Sequence, residues 1–351
     1  MPLPVRLLSL ATAVPPFVLH QAEVAERARA LFSANGSEVE RLLPAFVNAG
    51  IATRRSCVPL EWYTRPCGWK ARNTLFLEHA LTLIERAAVD CLARAGLDAD
   101  QVDAIVCVST SGLATPSLDA RLMERLPFRR DLQRLPIFGL GCAGGVLGLA
   151  RAAALARAAP GSRVLLLVVE LCGLTFRAGD GSKSNIIAAA LFGDGAAAAL
   201  VTCDETGDDQ PALSAWGEMT WPRSLDVMGW RIEDDGFGVL FSKDIPSIVR
   251  DGYAAAVDGF LAGQGLGRGD LDGVVCHPGG AKVVDALEAV FGMPAGGMTE
   301  ARGVLRDFGN MSAATVLFVL DRVLERAPRG RHLMSSLGPG FSAGFLLLEL
   351  P

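Results

Sequence analysis

The chain repeats itself at close to half its length. AVDCLARAGLDADQVDAIVCVSTSG, beginning at Ala88, and AVDGFLAGQGLGRGDLDGVVCHPGG, beginning at Ala256, share a helical run, a Gly-Leu turn, an acidic loop and a buried apolar run ending in Val-Cys. Asp103 pairs with Asp272 and Cys107 with Cys276, each 169 residues on. A second block keeps that offset. In FGLGCAGGVLGLARAAALARAAPGSRVLLL and RDFGNMSAATVLFVLDRVLERAPRGRHLMS, Arg157 pairs with Arg326 and Gly161 with Gly330. A shift that recurs over two blocks predicts two similar α/β halves packed about a pseudo-twofold axis. With 351 residues, half of them hydrophobic, there is ample core for both. The halves are expected at 1–205 and 206–351, joined by the Gly/Asp-rich CDETGDDQPA at 203–212.

Buried apolar runs alternate with helical periodicity, which argues for a mixed α/β fold with crossover connections. Strands are expected at 104–109, 163–169, 195–202, 273–277 and 343–349, and helices at 76–95, 143–158, 247–262, 281–291 and 311–326. The N-terminal MPLPVRLLSLATAVPP imitates a signal peptide, but prolines at 2, 4, 15 and 16 break any helical apolar region, so it reads as a first strand. The longest charge-free apolar stretches are shorter than a membrane span, and stable membrane insertion is not expected. A net charge of −5 with both signs mixed offers no basic stripe for nucleic acid or anionic lipid. No two of the eight cysteines lie closer than ten residues, which excludes a C-x-x-C metal or redox pair. Their apolar settings fit reduced thiols in a cytoplasm.

The repeat brings chemistry to its axis. In each half a glycine-flanked turn opens a buried helix. Ala, Gly and Leu surround 143–158 on every side, so this helix is buried rather than amphipathic, and 311–326 is expected beside it. Cys142 then falls opposite Asn310, 168 residues on, each at a helix N-terminus. Unpaired N–H groups and the helix dipole favour an anion there and are expected to lower the thiol's pKa. His277, in VVCHPGG, is the one histidine of four that ends a strand in the repeated core. A lone histidine there is more often structural. With Cys142 and Asn310 near, it completes a Cys–His nucleophile pair with a neutral amide donor. No metal site is expected.

Two other patterns compete. Gly139, Gly141 and Gly144 spell G-x-G-x-x-G, with Glu170 ending a later apolar run, as in an NAD-binding oxidoreductase. Against that reading, Pro136 sits inside the strand it needs, the second repeat copy drops the glycines, and His277 has no role. GFSAG at 340–344 matches a hydrolase elbow, but seven residues after Gly344 leave no room for its acid and base.

GLGCAGG, CHPGG and GNMSAAT, with ALFGDGAAAAL at 190–200 and SSLGPGFSAGFLLLEL at the end, resemble the thiolase superfamily and, within it, the chalcone synthase-like type III polyketide synthases. The resemblance implies a thiolase-like αβαβα layered fold of two pseudo-symmetric halves. It implies Cys142, His277 and Asn310 as catalytic residues and Phe192 as a gatekeeper. Thr110, Thr175 and the Gly338–Pro339–Gly340 loop are implied to bind substrate. It further implies acyl-CoA and malonyl-CoA as substrates, no cofactor, and a homodimer. Val239 stands where the plant enzymes have a second phenylalanine, Trp230 where they have glycine, and Cys172 where they have threonine. VELCGLTF and MGWRIEDDGFGV look most like the bacterial alkylresorcinol and alkylpyrone synthases, which implies a fatty acyl starter. The plant enzymes' basic CoA-binding positions do not map, and Arg54 and Arg55 are nearby candidates. Ketoacyl synthase III shares the Cys-His-Asn set but takes its extender from a carrier protein. Hydroxymethylglutaryl-CoA synthase needs a glutamate base, which does not stand out near GLATPS. ALFGDG and the Gly-Pro-Gly end favour the polyketide branch.

Overall fold

The computed structural model describes residues 3–32, 41–65, 67–204, 209–242 and 245–351. The expected boundary at 205/206 lies outside them. Thirteen strands are described: β1 (Val5–Ala13), β2 (Phe17–His20), β3 (Thr53–Ser56), β4 (Ala104–Val108), β5 (Gln133–Ile137), β6 (Arg163–Leu171), β7 (Asp194–Cys203), β8 (Ala212–Thr220), β9 (Met228–Glu233), β10 (Gly236–Phe241), β11 (Gly273–Cys276), β12 (Gly330–Gly338) and β13 (Ser342–Leu350). The longer helices are α1 (Gln21–Phe32), α2 (Trp69–Ala95), α3 (Gly144–Ala158), α4 (Lys183–Leu191), α5 (Ala254–Ala262), α6 (Ala281–Val290), α7 (Thr299–Phe308) and α8 (Thr315–Glu325).

Nine strands form one sheet in the order β11-β12-β13-β8-β1-β7-β6-β4-β5. Its two halves, β5-β4-β6-β7-β1 and β8-β13-β12-β11, meet through only two residue pairs, Val5 with Leu213 and Arg6 with Ala212. Outward from that seam β1-β7-β6-β4 matches β8-β13-β12-β11 in connectivity, with β5 an extra edge strand of the first half, so the repeat is a fold-level symmetry. α3 and α8 touch strands of both halves and form the central layer. In β7 alternate residues face opposite ways: Ala197, Ala199 and Val201 pack in the core shared with α3 and α8, and Ala196, Ala198 and Leu200 pack in the core around α2. A strand buried on both faces reads as a continuous apolar run, as this one does.

The expected elements stand, except that the helix expected at 76–95 starts earlier, at Trp69, and two others are revised. The 247–262 helix is broken: Ile245–Ile248 is α, Val249–Tyr253 is a π turn, and α5 follows. The 311–326 helix opens as a 3-10 turn at Ser312–Ala314. Pro136 does lie in a strand, β5, which is the sheet edge, where proline is tolerated.

Candidate active site

Cys142 is the middle residue of a 3-10 turn, Gly141–Ala143, that runs into α3. The turn is built by close contacts. Gly141 has φ +48°, and a Cβ there would stand 2.6 Å from Pro339. Thr110 Oγ1 accepts the Gly141 N–H at 3.1 Å. A side chain on Gly145 would strike Ala313 O and come within 2.6 Å of Val316, so these glycines let α3 and α8 begin side by side. The Cys142 thiol is 3.6 Å from Ser312 Oγ and 4.0 Å from Asn310 Oδ1. The two 3-10 turns correspond at an offset of 171 (141 to 312), which puts Ala313, not Asn310, opposite Cys142. Asn310 reaches the thiol from the loop two residues before its turn.

Asn310 is fixed at every polar atom. Its backbone N–H donates to Leu191 O at 2.8 Å and its carbonyl accepts the Gly193 N–H at 3.0 Å. Its Oδ1 accepts the Ser312 N–H at 2.8 Å, and its Nδ2 donates to Gly279 O at 3.1 Å. A donor on one side and an acceptor on the other set the amide's orientation and leave one N–H over. His277 follows β11, with its backbone N–H on Ser335 O at 2.9 Å. Its ring is buried, and neither ring nitrogen has a hydrogen-bond partner among the described residues. Burial lowers its pKa to about 3, which keeps the imidazole neutral. Burial also pushes the Cys142 thiol up to about 12, against the opposing effect of its hydrogen bond with Ser312. That direction is opposite to the lowering expected from the helix start, with desolvation the largest influence on the thiol.

Cys142, His277 and Asn310 all line one cavity of about 600 Å³. Leu191, Met228 and Phe241 give it apolar wall, and among the described residues Arg41, Lys183 and Lys282 are its charged lining residues. A cavity whose described lining carries three cations is suited to an anionic ligand with an apolar part.

The N-terminal domain of chalcone and stilbene synthases matches residues 60–205, and their C-terminal domain matches 214–348. The chain belongs to the chalcone and stilbene synthase family. A putative chalcone synthase of Bacillus subtilis (strain 168) is 39% identical over 98% of both chains. The 1,3,6,8-tetrahydroxynaphthalene synthase of Streptomyces peucetius subsp. caesius is 38% identical over 96% of this chain and 91% of that protein. The crystal structure of 1,3,6,8-tetrahydroxynaphthalene synthase from Streptomyces coelicolor A3(2), a bacterial type III polyketide synthase, superposes with a TM-score of 0.93 at 28% identity, covering 98% of this chain and 99% of that one. The fold is thus that of the type III polyketide synthases, and the protein is an acyltransferase of that class. The dinucleotide reading is overturned; its glycines serve helix packing and the Cys142 turn.

The other residues singled out in the synthase's sequence do not line the large cavity. Cys172, Phe192 and Val239 are buried together with Ala188, and Leu191, Trp230 and Phe241 pack against them. Trp230 Nε1 donates to Thr110 O at 3.0 Å, and its ring meets Phe192 edge-on at 6.0 Å. Thr175 donates to Cys172 O at 2.7 Å. Cys172, Thr175 and Phe192 line a second, smaller chamber of about 60 Å³, together with Leu19, Val24, Ala28 and Leu31 and with Arg27, Arg54 and Tyr63. Leu191 and Phe241 belong to both the large cavity and this wall. Gly338 and Pro339 pack behind the Cys142 turn, and a Cβ on Gly340 would stand 2.7 Å from Ser342 Oγ.

Arg54 is buried, with its guanidinium on main-chain carbonyls of α4's end rather than free at the surface. Arg41, Lys183 and Lys282 were missed because they come from three separate segments with no common motif. Glu170 lies beneath the site, where its Oε2 accepts from Thr110 N at 3.1 Å and Ser111 Oγ at 2.6 Å.

Proposed function

We propose that Cys142, His277 and Asn310 are the catalytic residues of this synthase, and that it builds alkylpyrones or alkylresorcinols from fatty acyl-CoA and malonyl-CoA. Their convergence on one cavity carries the reading. The Cys142 thiol attacks the acyl-CoA carbonyl as its proton passes to His277. The acyl–sulfur bond to CoA breaks, and the departing CoA sulfur takes that proton. Malonyl-CoA then enters, and its C–CO₂ bond breaks with the electron pair left on the thioester enolate. The N–H of His277 and the remaining N–H of Asn310 donate to the enolate oxygen. Decarboxylation itself generates the carbanion, so the step needs no strong base and no cofactor. The enolate carbon attacks the acyl-cysteine, Cys142 is released as the leaving group, and the extended chain returns to it before ring closure.

Arg41, Lys183 and Lys282 are suited to the phosphates of CoA and the malonyl carboxylate. The apolar wall of Cys172, Phe192 and Val239, with hydrocarbon-lined space behind it, supports an aliphatic starter. We also propose a homodimer through the apolar edge at β5, and a cytoplasmic enzyme. Eight free cysteines support that compartment, and among the described residues no helix is long and apolar enough to cross a membrane. A second reading, a polyhydroxynaphthalene product, is favoured by the name of the Streptomyces peucetius relative.

The test is incubation with acyl-CoAs of graded length and labelled malonyl-CoA, with products identified by mass spectrometry. Fatty acyl starters should be extended. Cys142→Ala should form neither acyl-enzyme nor polyketide and should retain malonyl-CoA decarboxylation. Undiminished polyketide from Cys142→Ala overturns the catalytic assignment. A preference for coumaroyl- or malonyl-CoA over every fatty acyl-CoA overturns the starter and leaves the three catalytic residues in place.

A further inference from the structure

We infer that Arg54 is a positioning residue that sets where Asn310 and Phe192 stand, by tying together the end of α4. The inference rests on the catalytic role proposed above for Asn310. The last turn of a helix leaves carbonyls without partners. At the end of α4 each one is taken. Ala188 O accepts the Phe192 N–H at 2.8 Å. Arg54 Nη1 donates to Ala189 O at 2.6 Å and to Phe192 O at 3.0 Å, and its Nη2 donates to Ala190 O at 2.8 Å. The one carbonyl that Arg54 leaves within this run, Leu191 O, accepts the Asn310 N–H. One guanidinium therefore grips the carbonyls on both sides of the one that holds Asn310.

The grip is itself held. Gln21 Oε1 accepts from Arg54 Nη2, while Gln21 Nε2 donates to Phe46 O at 2.9 Å and Ala190 O at 3.0 Å. Arg54 makes no ion pair among the described residues; the buried Asp194 acts on it electrostatically, and the carbonyl dipoles at the helix end favour a cation as well. Its Cβ packs 3.4 Å from where a Cβ would stand on both Gly193 and Gly309, the two residues that flank the Phe192–Asn310 bridge. Gly309, at φ +71°, has room for no side chain: a Cβ there would stand 2.9 Å from Leu191 O. The arginine thus lies directly under the bridge that carries the amide to the thiol. The fork geometry matters as well as the charge, since a lysine ammonium cannot span three carbonyls in one plane.

Decarboxylation draws on Asn310, whereas acyl loading draws on Cys142, so the two half-reactions separate this role from a merely structural one. In Arg54→Lys and Arg54→Ala, malonyl-CoA decarboxylation and acyl loading of Cys142 are measured and normalised to acylatable enzyme, so that an unfolded fraction cancels. The decarboxylation kcat should fall on the order of ten- to a hundredfold with KM little changed, the scale of a small misplacement of a reacting group. Acyl loading should stay within about twofold, well short of the loss that misplacement of a reacting group brings. Millimolar methylguanidinium should restore part of the decarboxylation in Arg54→Ala and none in Asn310→Ala. Proportional loss of both half-reactions, or normal decarboxylation in Arg54→Lys, overturns the role. Normal decarboxylation in Asn310→Ala instead overturns the catalytic reading on which it rests.

Discussion

The Glu170 carboxyl has one oxygen on Thr110 and Ser111 and the other, Oε1, without a partner among the described residues. Burial raises its pKa from 4.5 to about 7. A carboxyl raised in this way holds its proton longer folded than unfolded. Below pH 4.5 both states are protonated and nothing is lost. From 4.5 to about 7 the unfolded chain ionises first, so stability falls as pH rises, and above 7 the full cost stays in place. That cost is at most about 3 kcal/mol. Glu170→Gln keeps the shape and the accepting oxygen and removes the charge. Its urea midpoint should match the parent near pH 4.5 and exceed it at pH 8.5; parallel midpoints at both values would count against an ionisable Glu170. The same cause, burial, pushes the Cys142 thiol up and the His277 imidazole down, each toward its neutral form. A sequence motif shows that a thiol sits at a helix start, but not how much water surrounds it.

Among the elements, α4 and the β9–β10 hairpin decide what the large cavity can hold. α4 presents Leu191 to the cavity and Ala188 to the apolar wall, while the hairpin brings Trp230 and Val239 against that wall from the other side. Local resemblance picked out Trp230 and Val239, but α4 itself carries little helical signature beyond the Ser182 cap, whose Oγ accepts the Asn185 N–H at 3.3 Å. The π turn at Val249–Tyr253 left no trace in the periodicity either. It adds a residue to the turn and brings Tyr253 to the cavity, on Ser335. If a fatty acyl chain lies along this wall, each further CH₂ contributes up to about 0.8 kcal/mol, roughly fourfold in affinity, until space ends. Val239→Phe fills that space. In a kcat/KM series against acyl length, its optimum should move to shorter chains; an unchanged optimum would place the chain elsewhere.

For the whole molecule, β5 leaves the sheet with an open edge. Leu135 is 38% exposed, Phe138 54% and Leu113 45%, an apolar strip beside unpaired backbone groups. Such an edge invites pairing with a second copy. Leu135→Lys with Phe138→Asp should convert a dimer to a folded monomer by light scattering; an unaltered mass would move the interface to another face. The sequence by itself determined the two-halved α/β plan, because a duplicated pattern of strand and helix periods has one way to bury both apolar sets. It also pointed to Cys142, His277 and Asn310, the residues proposed here as catalytic, because the Gly-rich turns and the strand end at His277 are local features; the structure brings all three to one cavity. Only the tertiary structure decided the three-residue slip that brings Asn310 rather than Ala313 to the thiol, since that depends on how α3 and α8 pack at Gly144 and Gly145. It alone turned Arg54 from a surface cation into a buried helix clamp and gathered Arg41, Lys183 and Lys282 at one cavity. Burial and convergence are properties of segments distant in sequence, and no local pattern of residues encodes them.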